Sequence, residues 1–162
     1  RSIIKINENY ERKTQMRLND KIAKAWDKYL TAEHIDFGYD INPEHFSFAV
    51  FPPSIAADTP ETINITILID ENGFHCRFTC DNFKIQPDYI HEAISFISRI
   101  NDTIPYGKFV LDPDYNEVYF SYDSFITVSS QLTPEILDII INNGINNVKR
   151  FYPSIKPISV YI

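Results

Sequence analysis

A chain of 162 residues, 44% hydrophobic and 23% charged, with twelve Phe and ten Tyr, has the composition of one globular domain and excludes intrinsic disorder. Its net charge of −7 is unevenly spread: residues 1–36 hold eight Lys/Arg against six Asp/Glu (+2), and the remainder seven against sixteen (−9). The acidic body disfavours nucleic acid and anionic membranes as partners, since phosphate binding needs clustered Lys/Arg, and no apolar run reaches the roughly 20 residues of a spanning helix.

Residues 1–12 are polar around a short apolar patch at Ile3, Ile4 and Ile6, and are expected to form a loose arm or an accessory segment. The chain shows no charged-then-apolar leader, and its start at Arg1 leaves open that one was removed. From about Lys13 to about Phe37, Leu18, Ile22, Ala25, Trp26, Tyr29 and Leu30 recur at three- and four-residue spacing, the stripe of an amphipathic helix. Gly38 is expected to stop it by a positive-φ cap, with a soft boundary between Thr31 and Asp36.

Phe46, Phe48 and Val50 alternate with Ser47, Ala49 and Phe51, which predicts a strand that Pro52-Pro53 ends. Residues 54–62 read as a loop. Ile63 to Phe83 is the centre of the chain. Ile63, Ile65, Ile67 and Ile69 alternate with Asn64, Thr66, Leu68 and Asp70. After Glu71-Asn72-Gly73, Phe74, Cys76, Phe78 and Cys80 alternate with His75, Arg77, Thr79 and Asp81. A period of two around Asn-Gly is a hairpin signal.

Pro87 opens a helix with the stripe Ile90, Ala93, Ile94, Ile97 and Ile100, which Pro105 and Gly107 break. Lys108–Leu111 and Glu117–Tyr122 form a second hairpin about a turn-rich loop, and Phe125–Val128 is expected to continue it after a kink at Asp123-Ser124. Thr133-Pro134-Glu135 combines a hydroxyl N-cap, proline at N1 and an acid in the first turn. The helix stripe is Leu137, Ile140, Ile141, Val148, Phe151 and Tyr152; Pro153 is expected to end it. Gly144 inside it costs up to ~1 kcal/mol of propensity, which points to close packing or a bend. Ile158–Ile162 is a small strand or an ordered tail. The order helix, three strands, helix, two strands, helix predicts a single α+β domain over residues 1–162, with helices on one face of an antiparallel sheet.

Chemistry is sparse. Cys76 and Cys80 lie about 13 Å apart along one strand, beyond the roughly 7 Å of a disulfide, so they read as free core thiols suited to the cytoplasm. His75 and Asp81 point to the opposite face, so these four residues do not converge as metal ligands. Asp112, Asp114 and Glu117 lack the spacing and glycine of a calcium loop. His34, His45, His75 and His91 sit on separate elements, and no G-x-S-x-G, H-E-x-x-H or phosphate-cradling glycine loop occurs. We therefore expect no cofactor, no metal and no catalysis. Apolar side chains beyond the needs of one core are Trp26 and Tyr29 on the first helix, Tyr119 on the outer side of the second hairpin, and Ile136 and Ile139 on the last helix. They are the candidate partner-binding residues.

From Asn82 onward the chain resembles the bacterial YbjN family, also called bacterial sensory transduction regulators. The stretches that carry the likeness are Ile97-Ser98-Arg99-Ile100-Asn101, Tyr106-Gly107-Lys108-Phe109-Val110-Leu111-Asp112, Val118-Tyr119-Phe120, Thr133-Pro134-Glu135-Ile136-Leu137 and Phe151-Tyr152-Pro153. That family in turn resembles class I type III secretion chaperones in fold, which implies a small, non-catalytic protein that binds polypeptide. The expectation is a chaperone-like, regulatory protein-interaction domain with a protein or peptide partner, homodimerisation being open. The alternative is a ligand-binding domain or enzyme with a dispersed site, which a cleft gathering two or more of His75, His91, Asp81 and Arg77 would favour. A third reading is a structural module of a larger assembly. If the central hairpin carries a function, we expect it on the face where His75, Arg77, Thr79 and Asp81 line up beside Asn64, Thr66 and Leu68.

Overall fold

The computed structural model describes residues 17–53 and 58–161. The expected arm at 1–12, with Ile3, Ile4 and Ile6, lies outside the described residues, as does Ile162. Helix α1 (Leu18–Ala32) is followed by strands β1 (Phe37–Ile41), β2 (Glu44–Val50), β3 (Ile63–Ile69) and β4 (Gly73–Thr79). Then come α2 (Ile90–Asn101), β5 (Lys108–Asp112), β6 (Glu117–Phe125) and α3 (Pro134–Ile155). The strands form one antiparallel sheet in the order β1-β2-β3-β4-β6-β5. The architecture is the α+β arrangement expected, with one edge strand, β1, added to the order.

That strand replaces the end assigned to the first helix. Helix α1 stops at Ala32 rather than near Phe37. His34 takes positive φ, its N–H reaches Thr31 O, and the N–H of Ile35 reaches Leu30 O. Those two bonds are a Schellman cap, so His34 takes the role expected of Gly38. Gly38 instead sits in β1 opposite Ser47. Gly and Asp are poor strand formers, and Phe-Gly-Tyr-Asp-Ile therefore carried little strand propensity.

One face of the sheet is apolar. Facing pairs across β3 and β4 include Ile65 with Phe78 and Ile67 with Cys76, and Phe78, Phe120 and Phe109 form a row across β4, β6 and β5. All of these side chains are buried. The helices lie on this face. Trp26 of α1 meets Phe74 edge-on at 5.2 Å, and Phe151 of α3 meets Phe109 at 5.5 Å. Each such side chain stabilises the fold by roughly 1.5–3 kcal/mol through burial.

Three local expectations change. Ile94 of α2 is half exposed, and Phe96, edge-on to Phe151 at 6.3 Å, packs against the core instead. Strand β6 runs through Asp123-Ser124 without interruption and ends at Phe125. Helix α3 continues past Pro153 to Ile155, which is buried. A proline in the last turn removes one backbone bond, and burial of Tyr152 and Ile155 offsets that loss. Thr133 caps α3 as expected, its hydroxyl accepting from Ile136 N–H at 3.3 Å. The chain after α3 turns as a short 3-10 helix, and Ser159 bridges to Ile85.

Candidate functional site

The candidate binding residues separate into the core and two surfaces. Trp26 is fully buried, edge-on to Tyr29 at 5.9 Å, and its indole N–H has no partner among the described residues. Tyr29 is buried too, and its hydroxyl donates to Asp138 Oδ1 at 2.7 Å. Burial raises the Tyr29 pKa, and the Asp138 bond adds to it. The surface role expected of these two rings is therefore corrected: α1 turns them onto β4 and α3, and they close the core. Tyr119 lies half-buried on the opposite, open face of the sheet, beneath the Arg77 guanidinium at 4.9 Å. Ile136 and Ile139 are exposed on the outer side of α3, Ile139 at 66%.

The open face holds a shallow cleft of about 270 Å³ lined by Thr66, Arg77, Thr79, Asp112, Tyr115, Glu117 and Tyr119. The Thr79 hydroxyl lies 3.0 Å from both Glu117 Oε1 and Val118 O, and its one proton is shared between these two acceptors. Farther along, His75 sits between two carboxylates: Nδ1 is 2.5 Å from Asp123 Oδ1 and Nε2 is 2.7 Å from Asp70 Oδ2. The hydrogen bond to Asp123 raises the His75 pKa, burial opposes it, and Asp70 adds to the rise.

A second cavity, about 700 Å³, lies where Thr59–Thr62 and Cys80–Asn82 face Tyr152, Lys156 and Tyr161. Asp81 lines this one and Arg77 the other, while His91 is exposed on α2, so these clefts do not gather the dispersed residues. Cys76 and Cys80 are free and buried, and desolvation pushes the Cys80 thiol up to about 12, leaving it a poor nucleophile. Among the described residues no group of three or more His, Cys, Asp and Glu has the geometry to hold a metal ion. No described helix is long and apolar enough to cross a membrane.

The surface that sequence reasoning missed is the β1 edge. Phe37, Tyr39 and Ile41 point to the helix side: Phe37 packs on Phe46 at 5.6 Å and Tyr39 on the same ring at 4.8 Å. Yet Tyr39 is 46% exposed and Ile41 75%, so the apolar face of the sheet runs out beyond its cover. Strand β1 pairs with β2 on one side and leaves its other edge without a strand among those described. The Tyr39 hydroxyl donates to Glu44 Oε2, and that bond, with desolvation next and the charges of Glu44, Asp20 and Asp27 adding, pushes its pKa up to about 12. Glu44 Oε1 is buried with no hydrogen-bond partner among the described residues. The chain around this edge is acidic in sequence: no Lys or Arg occurs between Lys28 and Arg77, and Glu33, Asp36, Asp40 and Glu44 all fall there. The alternation Phe37, Tyr39, Ile41 was the available signal.

Comparison with known proteins bears on the whole of this architecture. The family model YbjN, described as "Putative bacterial sensory transduction regulator", matches residues 61–157. The structure is similar to the ExsC–ExsE complex, with a TM-score of 0.59 and 11% identity over 91% of this chain and 100% of that one. It is also similar to YbjN from E. coli, described as "a putative transcription regulator", with a TM-score of 0.56 and 14% identity over 80% of this chain and 86% of that one. At these identities the likeness is one of fold. No curated protein matches the chain.

Proposed function

The chain belongs to the YbjN family, and on that premise we propose that it is a non-catalytic regulatory domain that acts by binding a polypeptide partner. The observation that carries this reading is the β1 edge, where an apolar row continues past its cover beside a buried carboxylate oxygen with no donor among the described residues. A buried acceptor left unpaired costs about 1–3 kcal/mol, and turning Glu44 outward to meet a partner's N–H or ammonium group recovers that cost. The occupant that fits is an extended segment carrying Lys or Arg. It adds to β1 by main-chain hydrogen bonds, sets apolar side chains beside Tyr39 and Ile41, and brings a cation to Glu44. A fold neighbour that is part of a two-protein complex is in keeping with this role.

A second copy fits this edge poorly, because two acidic rims would meet. Homodimerisation is instead assigned to the exposed Ile136–Ile139 side of α3. Two free buried thiols suit a reducing compartment, and the cytoplasm is the proposed location.

The test is affinity capture with cross-linking mass spectrometry, using wild type, Ile41→Asp, Glu44→Gln and Ile139→Asp. Cross-links at β1 and loss of capture in the first two variants support the reading. Capture that survives both edge variants and is lost with Ile139→Asp moves the site to α3. Turnover of a small molecule that depends on the Arg77 cleft would sink the non-catalytic assignment.

A further inference from the structure

We propose that His75, held between Asp70 and Asp123, is a proton-controlled clasp that fastens the β3–β4 turn to β6. A neutral imidazole carries one N–H and can donate to one carboxylate, whereas the imidazolium donates to both. Both ring nitrogens here face carboxylate oxygens at hydrogen-bonding distance, so the geometry is that of the charged ring. The two acids come from different elements. Asp123 stands opposite His75 in the β4–β6 register, and Asp70 opens the turn between β3 and β4.

The turn depends on the same aspartate. Asp70 Oδ1 accepts from Asn72 N–H at 2.8 Å, while Oδ2 meets His75. The turn also abuts the end of β6. Ile126 N–H donates to Asn72 O at 2.7 Å, and a Cβ on Gly73 would fall 1.9 Å from Ser124 O. A small displacement of Asp70 is therefore transmitted to Ser124–Ile126. When the ring loses its proton, one contact is lost and two carboxylates remain about a single donor.

The titratable groups about the ring come from several elements. Asp123 comes from β6 and Asp70 from the turn, with Glu71 next to it. On the far side of Asp123, Lys108 of β5, paired with Ser121, and Tyr106 line a recess together with Asp123. Leu68 of β3 is the facing neighbour on the other side, and Arg77 lies two residues along β4 on the same face. His45 of β2 is beyond Leu68 and engages Pro43 O. For Asp70, burial raises the pKa, but the Asn72 N–H, His75 and Gly73 N–H contacts leave it lowered.

The signs define a window. The raised His75 value makes its contribution fully present below an ordinary histidine pKa of 6.5 and lost as pH rises through the folded value. The lowered Asp70 value makes its contribution present above the ordinary carboxylate pKa and lost as pH falls through the folded one. The clasp is closed between the two.

The experiment is an NMR titration of the His75 ring together with the amides of Asn72, Gly73 and Ile126. Expected are a His75 midpoint above 6.5, amide shifts that follow the same midpoint, and a downward shift of that midpoint in Asp123→Asn and in Asp70→Asn. In His75→Gln those amide titrations should vanish while the circular dichroism spectrum is kept. A midpoint at or below 6.5 overturns the clasp. So do amides that ignore the His75 titration, or that titrate unchanged in the glutamine variant. Should His75→Gln fail to fold, the two aspartate variants decide alone.

Discussion

A Cβ built on Gly144 would fall 2.2–2.4 Å from three ring atoms of Phe78, so helix α3 meets the centre of the sheet at a point where no side chain fits. The helix gives up propensity there to let the ring of Phe78, fully buried, lie against its backbone. Gly144→Ala gains up to ~1 kcal/mol of helix propensity and meets an overpacking cost of about 1–3 kcal/mol or more. Ring and backbone are both hemmed in, so the cost wins, and urea unfolding should show a lower midpoint. Phe78→Leu in the same chain should recover part of the loss; a Gly144→Ala protein more stable than wild type would mean the contact is loose.

Trp26 and Ile41 should separate stability from binding. Trp26→Ala empties a site that touches Tyr29 and Phe74, and should cost about 3–5 kcal/mol in denaturant unfolding. Ile41→Ser removes a side chain that is 75% exposed and should change stability by no more than about 0.5 kcal/mol. Partner capture should follow Ile41 at unchanged stability. If Ile41→Ser unfolds the domain, the residue belongs to the core and the edge reading falls.

Asn101 ends α2 and holds β5. Its Nδ2 donates to Phe109 O at 3.0 Å and its Oδ1 accepts from Phe109 N–H at 2.8 Å. Asn101→Ala leaves both backbone groups of Phe109 without these partners and should cost about 1–3 kcal/mol. Asn101→Asp keeps the acceptor but sets a carboxylate oxygen against the Phe109 carbonyl, so it too should melt below wild type. Equal melting temperatures for all three proteins would show that water replaces the side chain at no cost.

The two thiols should be silent in the folded protein. Desolvation pushes Cys80 from 9.0 up to about 12, and Cys76, wholly enclosed, is raised as well. A rise of that size lowers the thiolate fraction of Cys80 about a thousandfold at neutral pH. Ellman's reagent at pH 8 should therefore react slowly with native protein and release two equivalents once denaturant is added. A fast native equivalent would place Cys80 in an open state of the neighbouring cavity.

Much of the frame was legible residue by residue. Alternation about Asn72-Gly73 located β3 and β4 and turned both cysteines inward. Thr133-Pro134-Glu135 located the start of α3, and Gly144 announced close packing. Strand β1 was not legible, because Gly38 and Asp40 dilute its propensity and His34 caps the helix in place of a glycine. The candidate surface was read in part: Ile136 and Ile139 are outside, while Trp26 and Tyr29 are inside. An amphipathic stripe states which residues share a face of a helix, and says nothing of how wide the cover above that face will be.

By itself, the sequence determined what a short window can encode: strand and helix periods, turn chemistry, caps, and the pairing of neighbours across a tight turn. The tertiary structure decided which apolar rows are roofed and which charges meet. Trp26 is closed in by Phe74, and Tyr29 is tied to Asp138, 109 positions away. His75 gains its second carboxylate from Asp123, 48 positions on. The apolar face at Tyr39 and Ile41 stays open because β1 lies at the sheet's edge. Contacts of that span depend on how whole elements pack, and packing is settled by the summed burial of all of them rather than by any one local pattern.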